Sequence, residues 1–142
     1  MLDDGIKAQL TAYFERITQP VELIASLDGS AGAAEIRELV TEIAAIAPSK
    51  LAARFDGTFE RRPSFQITRA GHDMGVHFAA VPMGHEFTSL LLALLWAGGH
   101  PPKVEPEVIE QIRALEGDFR FETFMSLTCH NCPDVVQALH LM

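Results

Sequence analysis

Basic residues are scarce in this chain: 11 lysines and arginines stand against 19 aspartates and glutamates, leaving a formal charge of -8. A surface of that sign repels phosphate backbones and anionic lipid, which makes nucleic acid and membrane poor partners. Long apolar runs are lacking too. The longest, residues 87–97, contains Thr88 and Ser89 and falls well short of the roughly 20 residues a bilayer-spanning helix needs. The opening Met1-Leu2-Asp3-Asp4 has none of the basic start, apolar stretch and small-residue cleavage site of a secretory signal, so a cytoplasmic location is expected. Cysteine is almost absent. The only two, Cys129 and Cys132, stand two residues apart, a spacing that in a reducing compartment favours redox or metal chemistry over a structural disulfide.

What is present is enough for a core. The 142 residues are 48% hydrophobic and 21% charged, a balance that suits one soluble globular domain, or one plus a piece of another, and argues against disorder. Leu2, Ile6, Leu10, Tyr13, Phe14 and Ile17 recur at helical spacing, and residues 18–20 end that helix. Residues 21–27 read as a short buried strand. Asp28, Gly29 and Ser30 make a turn able to cap a helix with Ile36, Leu39, Val40, Ile43 and Ile46 inward, stopped by Pro48. Alternation at Leu51, Ala53 and Phe55 predicts a second strand, and Phe65 with Ile67 a third. Residues 71–75 form a turn, and Val76 with Phe78 marks a fourth strand. An apolar helix over residues 86–97, closed by Gly98 and Gly99, completes the set; Trp96 and the leucines of 90–95 belong to the core.

The order is α-β-α-β followed by β-β-α, a crossover pair of parallel strands and then a hairpin, which is the thioredoxin-like arrangement. Pro63 stands where that fold places a cis proline, although proline also tolerates an ordinary strand start. Residues 100–103 read as a linker between a complete unit over 1–100 and a partial one over 103–142. In the second, a helix with Val108, Ile109, Ile112 and Leu115 inward precedes a strand at residues 119–125 that runs into Cys129. Val135, Val136, Leu139 and His140 begin another helix. Phe119, Phe121, Val135 and Leu139 are expected to pack this segment on the first unit. The counterpart of the cysteine turn in the first unit, residues 28–31, has no cysteine. No second proline-plus-hairpin follows, so the second unit is expected to be incomplete.

Cys129-His130-Asn131-Cys132-Pro133 stands where strand meets helix, with the proline in the first turn, where its missing N–H costs nothing. Cys129 at the helix cap would gain thiolate stabilisation from free amides, the dipole and a protonated His130, making it the nucleophile; Cys132, one turn in and shielded, would resolve the mixed disulfide. Two other readings stand beside this. Half a zinc site could use both cysteines with His130 or His140, though a second well-spaced pair is missing, and two inert buried thiols are also compatible with the spacing. His72, His77, His85 and His100 read as solvated, capping or satisfied side chains. Glu86, leading a strongly apolar helix, is read either as a dipole-stabilised end group or as a partly buried carboxylate that moves protons for a nearby dithiol.

Longer runs carry a more specific signal. Residues 20–25 (PVELIA), Pro63-Ser64-Phe65, Gly84-His85-Glu86-Phe87-Thr88-Ser89-Leu90, Leu92-Ala93-Leu94-Leu95-Trp96, Gly98-Gly99-His100-Pro101 and residues 126–139 (SLTCHNCPDVVQAL) resemble the amino-terminal domain of the F subunit of bacterial alkyl hydroperoxide reductase, a flavoprotein disulfide reductase. The resemblance covers the whole chain. It implies an α/β fold of tandem thioredoxin-like units, the first complete and without cysteines, the second partial here and carrying the CxxC. It also implies that NADH and FAD act in downstream domains absent from these residues, and that a second cysteine pair there reduces Cys129 and Cys132. Those in turn would reduce a partner peroxiredoxin. The residues read as catalytic are Cys129, Cys132 and, from its place at the head of an apolar helix, Glu86, with no cofactor or metal expected in this chain. A homodimer is compatible with that reading. A different class of function, a redox-silent fragment serving only as scaffold or dimerisation piece, is distinguished by what chain follows Met142.

Overall fold

The computed structural model describes residues 1–142. Local chemistry starts the helices: the Asp3 carboxylate accepts from the Ile6 N–H at 2.8 Å to begin α1 (Asp4–Phe14), and the Ser30 hydroxyl accepts from the Ala33 N–H at 3.2 Å to begin α2 (Ala31–Ile46). Each satisfies an amide that the helix cannot pair internally. Between and after them run β1 (Val21–Ser26), β2 (Leu51–Arg54), β3 (Ser64–Arg69) and β4 (His72–Phe78). The α2 crossover makes β1 and β2 parallel, while β3 pairs antiparallel with both β1 and β4, giving the order β2-β1-β3-β4.

One face of this mixed sheet, through Val21, Leu23, Ala25, Phe65 and Ile67, is buried under Ile36, Leu39 and Ile43 of α2 and Leu90 and Leu94 of α3 (Phe87–Ala97). The alternate residues, among them Glu22, Arg54 and Gln66, line the other face, as the period-two geometry of strands requires. A Glu22–Arg54–Asp56 ion-pair cluster lies there. This is a thioredoxin-like sheet, with the Arg62–Pro63 peptide cis immediately before β3.

The hairpin turn is tighter than the glycines suggest. Strand β4 begins at His72, so the turn is Ala70 and Gly71, and Gly75, at φ +72°, lies inside the strand. Tyr13 leaves the core and stacks under Arg16, whose guanidinium sits 5.5 Å from its ring centroid.

The larger departures lie after residue 103. Helix α4 (Pro106–Arg113) buries no residue, and Val108 and Leu115 are exposed. Residues 119–125 are not a strand. Their alternation has no neighbouring strand to pair with, and none of their backbone groups bonds to another; a ladder needs a second edge, which periodicity alone cannot supply. The segment meets the first unit through two exposed ion pairs, Arg120 to Glu60 at 2.7 Å and Arg61 to Glu122 at 2.9 Å, contacts that solvent screening keeps weak. Phe119, Phe121 and Val135 are therefore 59%, 55% and 53% exposed rather than packed. The contact runs through α5 (Cys132–Leu141), which turns Val136 inward and lies on α3.

Farther along α5, His140 meets the Phe78 ring edge-on at 5.2 Å with its Nδ1 buried and unpaired. Burial pushes its pKa down to about 4 from an ordinary 6.5. The unfolded chain thus takes up a proton that the fold refuses, and stability present above pH 6.5 is lost as pH falls through 4. The loss amounts to about 3 kcal/mol. Urea unfolding at pH 7 and pH 4 checks this: in His140→Phe the pH-dependent loss should shrink by that amount, and an unchanged loss would contradict the account.

Candidate functional site

Residues 126–132 fold into a compact turn. The Cys129 N–H donates to the Ser126 carbonyl at 3.0 Å, the Thr128 N–H donates to the Ser126 hydroxyl at 3.3 Å, and the Cys132 N–H donates to Cys129 Sγ at 3.2 Å. Cys129 and Cys132 are joined in a disulfide, their Cα atoms 5.5 Å apart. The expected helix cap shifts. Asn131, not Cys129, occupies the N-cap position of α5 and makes no side-chain capping bond; the Cys129 sulfur does that work by accepting the first free amide. Burial does not separate the two cysteines, since both are half-buried. What distinguishes them is this N–H on Cys129, whose charge-assisted form would favour a thiolate there.

Glu86 ends a short 3-10 turn, Gly84–Glu86, that leads into α3. Its side chain is 0% exposed, makes no capping bond, and neither carboxylate oxygen has a hydrogen-bond partner. Its place at the N-cap of α3 keeps the dipole-stabilised end-group reading open, but the carboxyl is buried without a hydrogen bond, an expensive arrangement. Its turn is docked on the cysteine turn: the His85 N–H donates to the Leu127 carbonyl at 3.0 Å, and the His85 and His130 rings lie 4.4 Å apart between centroids. Gly84 makes this approach possible. It sits at φ +59°, and a Cβ there would stand 2.7 Å from the Leu127 carbonyl oxygen, so only glycine fits. Beneath, the Gln137 amide of α5 donates to the buried Ser89 hydroxyl of α3 at 3.2 Å.

Sequence reasoning singled out both cysteines and Glu86 but missed Gly84, the Leu127 carbonyl and the contact that His85 makes. The only hint was a glycine one residue before an exposed histidine at a helix start. The remaining singled-out groups lie elsewhere. His77 stacks on Phe59 at 4.1 Å, where burial lowers its pKa, and His140 belongs to the Phe78 contact. Pro63 faces Gly32 at the start of α2, with a Cβ on that glycine placed 3.3 Å from the proline ring; this is the cysteine-free counterpart of the redox turn. No group of three or more histidine, cysteine or acidic side chains is arranged to hold a metal ion. No helix is long and apolar enough to cross a membrane.

No family model matches the chain. Among curated proteins, it is 58% identical over 142 residues to the F subunit of alkyl hydroperoxide reductase in Pseudomonas putida and 58% identical over 143 residues to its counterpart in Escherichia coli. A Bacillus subtilis protein named NADH dehydrogenase is 46% identical over 142 residues. All of this chain is matched, yet it spans only 27%, 27% and 28% of those relatives' lengths. Among solved structures, the NTD_N/C domain of alkylhydroperoxide reductase AhpF from Enterococcus faecalis superposes with a TM-score of 0.83 at 29% identity, covering 99% of this chain and 73% of that one. A protein disulfide oxidoreductase from Aeropyrum pernix, at 19% identity, shares the fold with a TM-score of 0.77 over 99% of this chain and 68% of its own. In sequence along its whole length, and in fold, the chain matches the amino-terminal domain of the F subunit of bacterial alkyl hydroperoxide reductase.

Proposed function

We propose that this chain is a thiol–disulfide electron carrier that passes reducing equivalents from a flavin- and NADH-dependent disulfide reductase module to a peroxiredoxin. The observation that carries the proposal is the Cys129–Cys132 disulfide itself, half-exposed at a helix start with the Cys132 N–H on the Cys129 sulfur. FAD and NADH belong, on this reading, to segments of a longer protein. The groups present here, two sulfurs, two imidazoles and a buried carboxyl, suit dithiol exchange rather than the holding of a dinucleotide.

A donor dithiol delivers two electrons and two protons, opening the disulfide to two thiols. Cys129 gives up its proton, and its thiolate attacks one sulfur of the acceptor disulfide, forming a mixed disulfide and expelling the other acceptor sulfur, which takes up a proton. Cys132 loses its proton and attacks the Cys129 sulfur. The intramolecular disulfide re-forms, and the acceptor leaves with both sulfurs reduced. Glu86, buried in the turn docked beside the cysteines, is the group assigned to supply and collect these protons.

The order of attack is open to a trapping test. Reduced Cys132→Ser protein, mixed with an oxidised peroxiredoxin, is expected to accumulate a covalent mixed disulfide on non-reducing gels, because the resolving thiol is gone. Cys129→Ser should give none. Equal adducts from both variants, or adducts only through Cys132, would reverse the assignment.

A further inference from the structure

Every hydrogen bond within residues 126–132 is local except one. Cys129 is tied to Ser126, Thr128 to Ser126 and Cys132 to Cys129, contacts that set the shape of the turn but not its place on the rest of the molecule. The single long-range bond comes from the His85 N–H to the Leu127 carbonyl at 3.0 Å. The same residue reaches the other side of the nucleophile, its ring 4.4 Å from that of His130. Leu127 and His130 bracket Cys129. One residue from a segment with no cysteine therefore grips the redox turn on both sides of the reacting sulfur.

We propose that His85 is a positioning residue for dithiol exchange, acting as a two-point clamp, through its backbone at Leu127 and its imidazole at His130, that holds Cys129 in its attacking geometry. The proposal rests on the dithiol-carrier reading above. Its physical basis is that exchange requires an in-line approach of one sulfur to another, and a displacement of the order of 1 Å in a reacting group is enough to cost rate heavily. A turn fixed only by its own local bonds would pivot as a unit about α5. The backbone bond survives any side-chain change, so substitution isolates the ring contact. Both imidazoles are exposed, so removing either leaves the core untouched.

The test is the rate of mixed-disulfide formation through Cys129 in reduced protein carrying Cys132→Ser, with a small aromatic disulfide as acceptor so that partner docking plays no part. His85→Ala is expected to slow the reaction about tenfold, with the urea midpoint unchanged. His85→Phe, which keeps a planar ring against His130, should restore most of the rate. His130→Ala should slow it comparably, and the double variant should be no slower than either single one, because the two rings make one contact. An unchanged rate in His85→Ala, no rescue by His85→Phe, or independent multiplying effects of the two alanines would overturn the clamp. Failure of the carrier reading looks different: the reduced, unaltered chain would then leave an oxidised peroxiredoxin unreduced whatever stands at position 85, while the rates with the small disulfide still followed the clamp.

Discussion

Glu86→Gln is expected to slow dithiol exchange by about 10²–10⁴-fold, the range over which a positioned acid–base group contributes, while leaving the protein no less stable. The carboxyl has no bond to lose: it is fully buried, and both its oxygens lack partners. Glu86→Met, similar in volume and apolar, should raise unfolding free energy by about 1–3 kcal/mol, the cost of an unsatisfied buried polar group, with exchange equally slow. Stopped-flow exchange with a disulfide acceptor and urea unfolding measure the two effects separately. A residue kept only for packing would show the stability change with no loss of rate. Normal exchange in either variant would remove Glu86 from the mechanism, and a marked loss of stability in Glu86→Met would show that the carboxyl has a structural partner after all.

Phe65→Ala should cost about 3–5 kcal/mol, the range for emptying a buried phenylalanine site. That is a large part of the 5–15 kcal/mol that holds a typical domain together. Phe65 is 0% exposed, stacks on Phe78 with ring centroids 5.4 Å apart, and pairs with Ala25 on one side and Phe78 on the other at the centre of the sheet. Phe121→Ala offers the contrast: at 55% exposure and with no strand pairing, it should change the unfolding free energy by no more than about 0.5 kcal/mol. Comparable losses in the two variants would mean that residues 119–125 are packed as tightly as the sheet.

These two phenylalanines also mark where the sequence could be read and where it could not. Around Phe65, the alternation of β3, the crossover length of α2 and the capping turn at residues 28–30 all point to one answer, and the sheet order follows from them. Around Phe121 the alternation is equally regular, but a strand exists only if another edge lies beside it, and that is a property of the whole fold rather than of seven residues. The helical face of α5 was legible to within one position: Val136, not Val135, turns inward. At the site, the cysteine spacing and the isolated charge of Glu86 stood out because each breaks the composition around it. The His85–His130 contact joins residues 45 positions apart on two surface turns. No periodicity records such a contact, and only the folded backbone brings the rings together.

Gly84 has a consequence for anyone who would recombine this chain with its relatives. The glycine and the Leu127 carbonyl that crowds it are parts of one steric fit, built from two distant stretches of sequence. A crossover placed anywhere between residues 84 and 127 would take the two halves of that fit from different parents. A hybrid whose amino-terminal parent carries a side chain at position 84 would then lose the seating of its redox turn even with every cysteine in place. Junctions placed before residue 84 or beyond residue 132 keep the glycine, the carbonyl and both sulfurs in common descent.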